Sequence, residues 1–381
     1  MRTRKKWLIL LAASVLGTLT VSACAPTASA PTPAPTKAVA AAPTKAPEAA
    51  PTKAAEPAKP PAPTATPRPA TVKYGSLPGV FNAALYFAND KGHFKEQGIN
   101  IEFVDFRTIQ ELIAPVGTGQ LDVVGMPLST PLLAAADRGV DLRLVAALSV
   151  SAQPSNNHTW IMLRKDLKDS GQVKTPADLN GMKVAMPSQG GLGDQTVLLM
   201  LAQAGLKAED VEMVVLPAAE QAAAFANKAI AAGYTLEPQI SDILQKGLAD
   251  KWIPISQYYG GKVQTGVIIF GPNMLKDQDL ARRWMTGYVK GAREYLKAAA
   301  SRDGRADAVN ALTNHTPLKD PKAYETMELP TIDINGQPDK QNIDTQYKYW
   351  VEGGFYKGQT TIEKITDLSY LDYAIQRIGR Q

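Results

Sequence analysis

Short apolar segments alternate with helical patterns from residue 71 onward, and this alternation limits the possible folds more than any other feature. Residues 71–77 predict a strand, Asn82 is a suitable N-cap for a helix over 83–97, and Gly98 ends that helix before a strand at 99–106. Strands that alternate with helices through short connections form parallel sheets covered by helices. The pattern therefore predicts an α/β fold.

The same alternation starts again after residue 158, and residues 277–378 are mainly helical. This organisation predicts two lobes, each a mainly parallel sheet flanked by helices. We expect lobe 1 to comprise residues 71–169 plus 265–381, and lobe 2 to comprise residues 170–264. Two crossovers between the lobes would then form a hinge around a cleft.

The N-terminus has the features of an exported lipoprotein. A basic start at residues 2–6 precedes an apolar run at 7–21 that is short for a membrane helix. Small residues then precede Cys24, the one cysteine of the chain, and their spacing resembles the lipobox of bacterial lipoproteins. We expect residues 1–23 to be a signal peptide and Cys24 to be lipidated, which places the protein at the extracytoplasmic face of the cell membrane. An ordinary cleaved signal or a buried cysteine is the alternative.

Residues 24–70 are predicted to be a linker behind the lipidated cysteine. After Cys24 this stretch is almost entirely Ala, Pro, Thr and Lys, and it contains 13 of the 28 prolines. Such a composition buries too little apolar surface to form a core, and proline favours an extended spacer. The folded part is therefore expected to begin near residue 71.

Positive charge is concentrated in the N-terminal region. The chain carries a net charge of +5, but residues 1–70 hold nine basic and two acidic side chains, which leaves −2 for residues 71–381. Nucleic-acid binding requires a basic folded face. We therefore expect no nucleic-acid partner.

Several short segments occur in a particular order along residues 71–381. They are Asn89–Ile99, Gly119–Val123, Arg138–Leu142, Asp178–Ala185 and Glu237–Pro238. In order and spacing they resemble the family of nitrate-, sulfonate-, riboflavin- and thiamine-precursor-binding proteins that serve ABC importers. The resemblance implies a two-lobed periplasmic-binding-protein type II fold. It also implies a monomer that closes on a small ligand and delivers it to an ABC permease and its ATPase.

Ligands of open α/β sheets bind beyond the carboxyl ends of the strands. That rule selects the loops at 75–82, 126–130, 149–153, 188–194 and 234–237. The 188–194 loop is the most informative, because its glycines permit close approach and it leads into a helix N-terminus. It lacks the ending of a nucleotide P-loop, which argues against ATP. The candidate ligand-binding residues are Phe81, Asn82, Ser129, Thr130, Trp160, Ser188, Gln189, Gly190, Asp194, Tyr234, Glu237 and Tyr258.

Five of these candidates have an alternative role that does not involve the ligand. Ser129, Thr130 and Asp194 could simply cap helices. Trp160 could belong to the core. Glu237 could be an exposed position that faces the permease or the hinge.

The candidate loops favour a neutral aromatic ligand. No Arg or Lys occurs in 75–82, 126–130 or 188–194, and Tyr234 stands where the family usually has a small or acidic residue. We expect a vitamin-like heterocycle, riboflavin or a thiamine pyrimidine precursor, because flat rings stack on aromatic side chains. The alternative is a small anion (an aliphatic sulfonate such as taurine, nitrate or bicarbonate) held by helix N-termini.

Catalysis is not expected. The three histidines, His93, His158 and His315, are far apart in sequence, and neither a nucleophile elbow nor a zinc-protease motif occurs. The sequence therefore predicts no catalytic residue, no metal site and no cofactor. A ligand-sensing surface lipoprotein without a transport role is a further alternative.

Overall fold

The chain forms two sheets, each flanked by helices, in a computed structural model that describes residues 68–381. The strands of this region are β1 (Ala70–Ser76), β2 (Ile99–Asp105), β3 (Val123–Met126), β4 (Arg143–Ala152), β5 (Thr159–Arg164), β6 (Lys183–Met186), β7 (Glu212–Val215), β8 (Ala232–Leu236), β9 (Ala249–Pro254) and β10 (Lys262–Phe270). Its helices are α1 (Ala83–Asp90), α2 (Ile109–Gly117), α3 (Thr130–Asp137), α4 (Lys165–Asp169), α5 (Leu192–Gln203), α6 (Ala218–Ala226), α7 (Gln239–Gln245), α8 (Pro272–Lys276), α9 (Gln278–Ala300), α10 (Arg305–His315), α11 (Lys340–Glu352), α12 (Ile362–Ile365) and α13 (Ser369–Ile378).

The first sheet, which defines lobe 1, has the strand order β2-β1-β3-β10-β4. Strand β1 pairs in parallel with β2 and β3, whereas β10 pairs antiparallel with β3 and β4. Four of the five strands therefore run in one direction. The prediction of a mainly parallel sheet flanked by helices is confirmed for this lobe.

The second sheet, which defines lobe 2, has the order β7-β6-β8-β5-β9. Here β6 is parallel to β7 and β8, and β5 is antiparallel to β8 and β9. In both sheets the antiparallel strand is the first strand after the chain has crossed from the other lobe. The two lobes are thus built on the same pattern.

The chain enters lobe 2 earlier than the sequence predicts. Strand β5 pairs with β8 and β9 in the second sheet. The first crossover therefore lies at 153–158, and not between residues 169 and 170 as predicted. The return crossover lies at 255–261, close to the predicted one. The partners of β5 follow it by about 70 residues or more, and a local pattern cannot reveal such a pairing.

Helix α9 shows how the core of lobe 1 forms. Asp277 accepts a hydrogen bond from the backbone N–H of Leu280 at 3.0 Å and so caps the helix start. Apolar residues then recur at the three- and four-residue spacing of a helix face that packs on a core. The buried residues on that face include Ala281, Trp284, Met285, Tyr288, Val289 and Ala292.

The predicted helix over 83–97 is shorter in the structure. Helix α1 ends at Asp90, because Gly92 adopts a left-handed φ of +82°, and a separate 3-10 turn spans Lys95–Gln97. None of the helices between residues 68 and 381 combines the length and apolar character needed to cross a membrane. Cys24 and the predicted signal peptide lie outside the described residues.

Candidate functional site

The two lobes touch each other directly across the cleft. The backbone N–H of Thr130, at the start of α3 in lobe 1, donates to the carbonyl oxygen of Gly190 in lobe 2 at 2.8 Å. The backbone N–H of Val80 in lobe 1 donates to the carbonyl oxygen of Glu237 in lobe 2 at 3.5 Å. The structure therefore represents a closed arrangement of the lobes.

A small cavity of about 60 Å³ lies between the lobes. Both lobes contribute to its wall, and most of the wall is apolar. No Arg, Lys, Asp or Glu belongs to this lining. The lining residues are Leu77, Phe81, Ile109, Pro127, His158, Thr159, Pro187, Ser188, Leu192, Gly193, Tyr234, Leu236 and Thr265.

The start of α5 forms one part of the wall. The carboxylate of Asp194 accepts a hydrogen bond from the backbone N–H of Gly190 at 2.9 Å, which fixes the loop before the helix. Burial raises the pKa of Asp194. A Cβ at Gly193 would lie 2.8 Å from Pro187 Cδ and 3.2 Å from Tyr234 Cδ1, so glycine allows the helix to begin against the wall. The first-turn N–H groups of α5 give this part a positive partial charge.

Asn82 supports the site from behind. Its side-chain Oδ1 accepts a hydrogen bond from Tyr74 Oη at 2.8 Å, and its Nδ2 donates to Ser76 Oγ at 2.7 Å and to the carbonyl oxygen of Leu77 at 2.9 Å. These bonds fix the loop that carries Phe81 into the cavity wall. Asn82, predicted as a ligand contact, is fully buried and does not line the cavity.

His158 lies in the wall at the first crossover. Its ring nitrogens are 3.2 Å from Ser151 Oγ and 3.2 Å from Thr265 Oγ1, and burial lowers the pKa of His158 to about 4. The imidazole is therefore neutral near pH 7. No local sequence pattern indicates this placement of His158, because Thr265 is more than 100 positions away and the two residues meet only when the chain folds.

Glu237 lies at the interface between the lobes but outside the cavity lining. It is 1 % exposed, so the interpretation of Glu237 as an exposed position is wrong. Its carboxylate accepts a hydrogen bond from the backbone N–H of Ser241 at 2.9 Å, at the start of α7. Burial is the main cause that raises the pKa of Glu237 to about 7.

The two remaining aromatic candidates do not line the cavity. Trp160 donates its indole N–H to the carbonyl oxygen of Asn157 at 2.7 Å, and Lys251 Nζ lies 5.2 Å from the ring centre. Tyr258 packs against the core of lobe 2, and burial raises its pKa to about 12. Trp160 lies next to Thr159 in β5, and neighbouring strand residues face opposite sides. Thr159 lines the cavity, so Trp160 points away from it.

The other candidates lie at or beside the closed interface. Phe81, Ser188 and Tyr234 line the cavity, whereas Ser129, Thr130, Gln189, Gly190 and Asp194 surround the contact between α3 and the α5 loop. The Ser129 hydroxyl is buried without a hydrogen-bond partner among the described residues and does not cap α3. Residues that sequence reasoning missed include His158, Thr159 and Thr265. Within residues 68–381 no cluster of three or more His, Cys, Asp and Glu side chains is arranged to hold a metal ion.

A protein-family model covers most of the region that contains the cavity. The model described as "NMT1/THI5 like" matches residues 82–301, which is more than half of the chain and includes most of the cavity lining. The chain belongs to the NMT1/THI5-like family. Membership agrees with the resemblance noted from the sequence segments, because both concern the same two-lobed region.

One curated relative from Escherichia coli strain K12 is named "Putative aliphatic sulfonates-binding protein". It is 27 % identical over 177 residues, which cover 46 % of this chain and 45 % of the relative. The match thus spans less than half of the relative's length.

Solved structures share the fold of this NMT1/THI5-like chain. The periplasmic nitrate-binding protein of Synechocystis PCC 6803 superimposes with a TM-score of 0.69 at 16 % identity, covering 82 % of this chain and 90 % of that one. The desulfurization enzyme DSZB superimposes with a TM-score of 0.59 at 15 % identity, covering 82 % and 100 %. The periplasmic-binding-protein type II fold is therefore confirmed, and it occurs in both binding proteins and an enzyme.

Proposed function

We propose that this chain is the extracytoplasmic substrate-binding protein of an ABC importer and that its lobes close on a small aliphatic sulfonate. The observation that carries the proposal is the closed, mostly apolar cavity with the start of α5 and Ser188 in its wall. A two-lobed receptor gains closure only from a ligand that binds the closed state better than the open one. A ligand in this cavity contacts both lobes and meets that condition.

The size of the cavity argues against the vitamin-like heterocycle expected from the sequence. Sites for drug-sized ligands have volumes of roughly 300–1,000 Å³, whereas this cavity measures about 60 Å³. A flavin would have to hold the lobes apart at the Thr130–Gly190 contact. The relative named for sulfonates also favours the small-anion alternative over the heterocycle.

The chemistry of the wall favours a sulfonate among small anions. The N-terminus of α5 and the hydroxyl of Ser188 suit a sulfonate head, since a helix N-terminus stabilises negative charge. The apolar wall, with Phe81, Ile109 and Leu236, suits an alkyl chain. Nitrate and bicarbonate have no apolar part to cover this surface, and they would leave it in contact with trapped water.

The remainder of the proposal concerns the membrane. Cys24 carries a lipid, residues 24–70 form the linker, and the folded lobes deliver the ligand to the permease as a monomer without turnover. The cysteine and its small preceding residues support this assignment, as does the family of importer-binding proteins that the sequence segments resemble. Substitution Cys24→Ala should release the protein from the membrane fraction, and continued retention would contradict the anchor.

The ligand is tested by thermal unfolding of the purified chain. Ethanesulfonate should raise the melting temperature, because a ligand at 100 times its dissociation constant adds about 2.7 kcal/mol to the free energy of unfolding. Nitrate, riboflavin and the thiamine pyrimidine should give no comparable shift. A shift with riboflavin alone would overturn the sulfonate proposal. Sulfonate uptake that survives deletion of the gene would overturn the importer role, and recovery of a chemically altered ligand would indicate an enzyme.

A further inference from the structure

Four buried side chains form a continuous hydrogen-bonded chain where the crossovers meet the cavity. Ser151 Oγ lies 3.2 Å from one ring nitrogen of His158, and the other ring nitrogen lies 3.2 Å from Thr265 Oγ1. Thr265 Oγ1 is in turn 2.9 Å from Ser149 Oγ. All four side chains are at most 5 % exposed, and His158 and Thr265 line the cavity. Polar groups thus reach the ligand space at a second place besides the α5 start.

This chain of groups is uncharged but can still offer either a donor or an acceptor. A neutral imidazole has one N–H donor and one acceptor nitrogen, and each hydroxyl can donate or accept. When the hydrogen bonds along this chain of groups reverse their direction, the group that faces the cavity changes from a donor to an acceptor or the reverse. A ligand hydroxyl, which itself donates and accepts, matches such a surface in either state.

An ammonium group would find no counter-charge in this cavity. No carboxylate belongs to the lining, and the two buried carboxylates at the interlobe region are already bonded. Asp194 accepts from the N–H of Gly190, and Glu237 accepts from the N–H of Ser241. A buried unpaired charge is unfavourable, so the wall disfavours an aminoalkyl end.

A plain alkyl end makes no hydrogen bond to this wall, whereas a hydroxyl end can bond to Thr265. Both ring nitrogens of His158 already have a hydroxyl partner, but the Thr265 hydroxyl, with one donor and two acceptor sites, has one site left beyond His158 and Ser149. A ligand hydroxyl gains a hydrogen bond there, and a methyl group gains none. The wall therefore distinguishes a hydroxyl end from a methyl end.

We infer that Thr265, oriented by His158, determines specificity by binding a ligand hydroxyl, so that the preferred ligand is a short hydroxyalkanesulfonate. This inference rests on the proposed function, since it assumes that the sulfonate head occupies the α5 side. It identifies the chemical group at the end of the ligand opposite the sulfonate, which family membership does not determine.

The experiment compares three sulfonates of nearly equal size by calorimetry on the purified chain. They are 2-hydroxyethanesulfonate, ethanesulfonate and 2-aminoethanesulfonate. One neutral hydrogen bond corresponds to about a five- to tenfold difference in affinity, so the hydroxy compound should bind about that much more tightly than ethanesulfonate. The amino compound should bind most weakly.

The inference is overturned if ethanesulfonate or the amino compound binds as tightly as the hydroxy compound. That result leaves the proposed function standing. Failure of all three to bind overturns both.

Substitution Thr265→Val tests the residue, because valine keeps the shape and removes the hydroxyl. The variant should bind the hydroxy compound and ethanesulfonate about equally, with ethanesulfonate affinity close to that of the wild type. Thr286→Val is the matched control: Thr286 is buried in α9, where its hydroxyl bonds only to the carbonyl oxygen of Arg282, and it should keep the hydroxyl preference. A preference that persists in Thr265→Val overturns the assignment. If the variant does not fold, the comparison of the three sulfonates on the wild-type protein still tests the preference for a hydroxyl.

Discussion

Arg107 and Glu220 form an ion pair across the mouth of the cleft, with 2.6 Å between Nη2 of the guanidinium and Oε1 of the carboxylate. Arg107 lies between β2 and α2 in lobe 1, and Glu220 lies in α6 of lobe 2. Because the two residues belong to different lobes, the pair exists only when the lobes are closed. Closure therefore has an electrostatic component that is separate from the ligand.

Substitution Arg107→Ala should weaken ligand binding modestly by destabilising the closed state. The side chains are 75 % and 44 % exposed, and such surface pairs contribute about 0–1 kcal/mol, so affinity should fall at most about fivefold. The difference from wild type should shrink at high salt, because salt screens exposed charges. Calorimetry at low and high ionic strength measures both effects.

The control for this prediction is Lys246→Ala. Lys246, which follows the last residue of α7, pairs with Asp242 of the same helix at 2.7 Å, so that pair does not depend on closure. Equal loss of affinity in both variants, or no loss in Arg107→Ala at low salt, would contradict a closure-specific role.

Gly190→Ala should reduce ligand affinity by obstructing closure. Gly190 has a φ of +68°, and a Cβ there would lie within 2.2 Å of Thr130 Oγ1 in the other lobe. The clash arises only when the lobes approach, whereas the left-handed backbone costs about 1–2 kcal/mol in any state. We expect a lower melting temperature and an affinity reduced about tenfold or more.

Gly205→Ala separates these two effects. Gly205 has a φ of +78° and no atom within 4 Å of the added Cβ, so the substitution introduces the same backbone strain without an interlobe clash. Its melting temperature should fall while its affinity for ligand stays at the wild-type value. Parallel losses of affinity in both alanine variants would show that strain, and not closure, is responsible.

The sequence predicts those parts of the fold and site that depend on local pattern. Alternating strands and helices indicated two α/β lobes, and the rule for strand ends selected loops from which Phe81, Ser188 and Tyr234 reach the cavity wall. These features follow from the direction of each strand and the loop directly after it. Neither requires knowledge of distant contacts.

The parts that sequence could not predict depend on distant pairing. Thr265 reaches His158 because β10 returns to lobe 1 beside β4, and the residues lie 107 positions apart. Trp160 is directed away from the cavity by the alternation along β5, whose sheet the local pattern did not identify. The volume of the cavity likewise depends on how closely the lobes meet, and its small size argues against a large ring system as the ligand.

Asp137 should make lobe 1 sensitive to acid. The Tyr356 hydroxyl donates to its carboxylate, Thr360 donates through its backbone N–H and hydroxyl, and these bonds lower the pKa of Asp137 to about 2. A lowered carboxyl pKa stabilises the fold above the ordinary value near 4, and this stabilisation is lost as the pH falls towards 2. Melting temperatures of the wild type and Asp137→Asn should differ at pH 7 and converge in that window.

Tyr356→Phe is the companion variant for Asp137. It removes the hydroxyl that contributes most to the low pKa while leaving the carboxylate in place. Its melting temperature should also lie below that of the wild type at pH 7, with a smaller convergence towards pH 2. A difference between wild type and Asp137→Asn that stays constant from pH 7 to pH 2 would contradict the role of the carboxylate.

Glu237 should make the protein less stable as the pH rises through neutrality. Burial raises its pKa from 4.5 to about 7 in the folded state, with Lys251 and Glu328 as the charged neighbours. A raised carboxyl pKa means that the folded state favours the protonated form. The associated stability is fully present below pH 4.5 and is lost as the pH passes 7. The change is on the order of 3 kcal/mol, since one pKa unit corresponds to about 1.4 kcal/mol.

Glu237→Gln cannot ionise, so its free energy of unfolding should vary less between pH 5 and 8 and should exceed that of the wild type at pH 8. Denaturant titrations across this range measure the difference. Glu212→Gln removes an exposed carboxylate of the same lobe and should reproduce the wild-type pH dependence. If Glu237→Gln and Glu212→Gln follow the same curve, the buried carboxyl at the lobe interface does not govern this pH response.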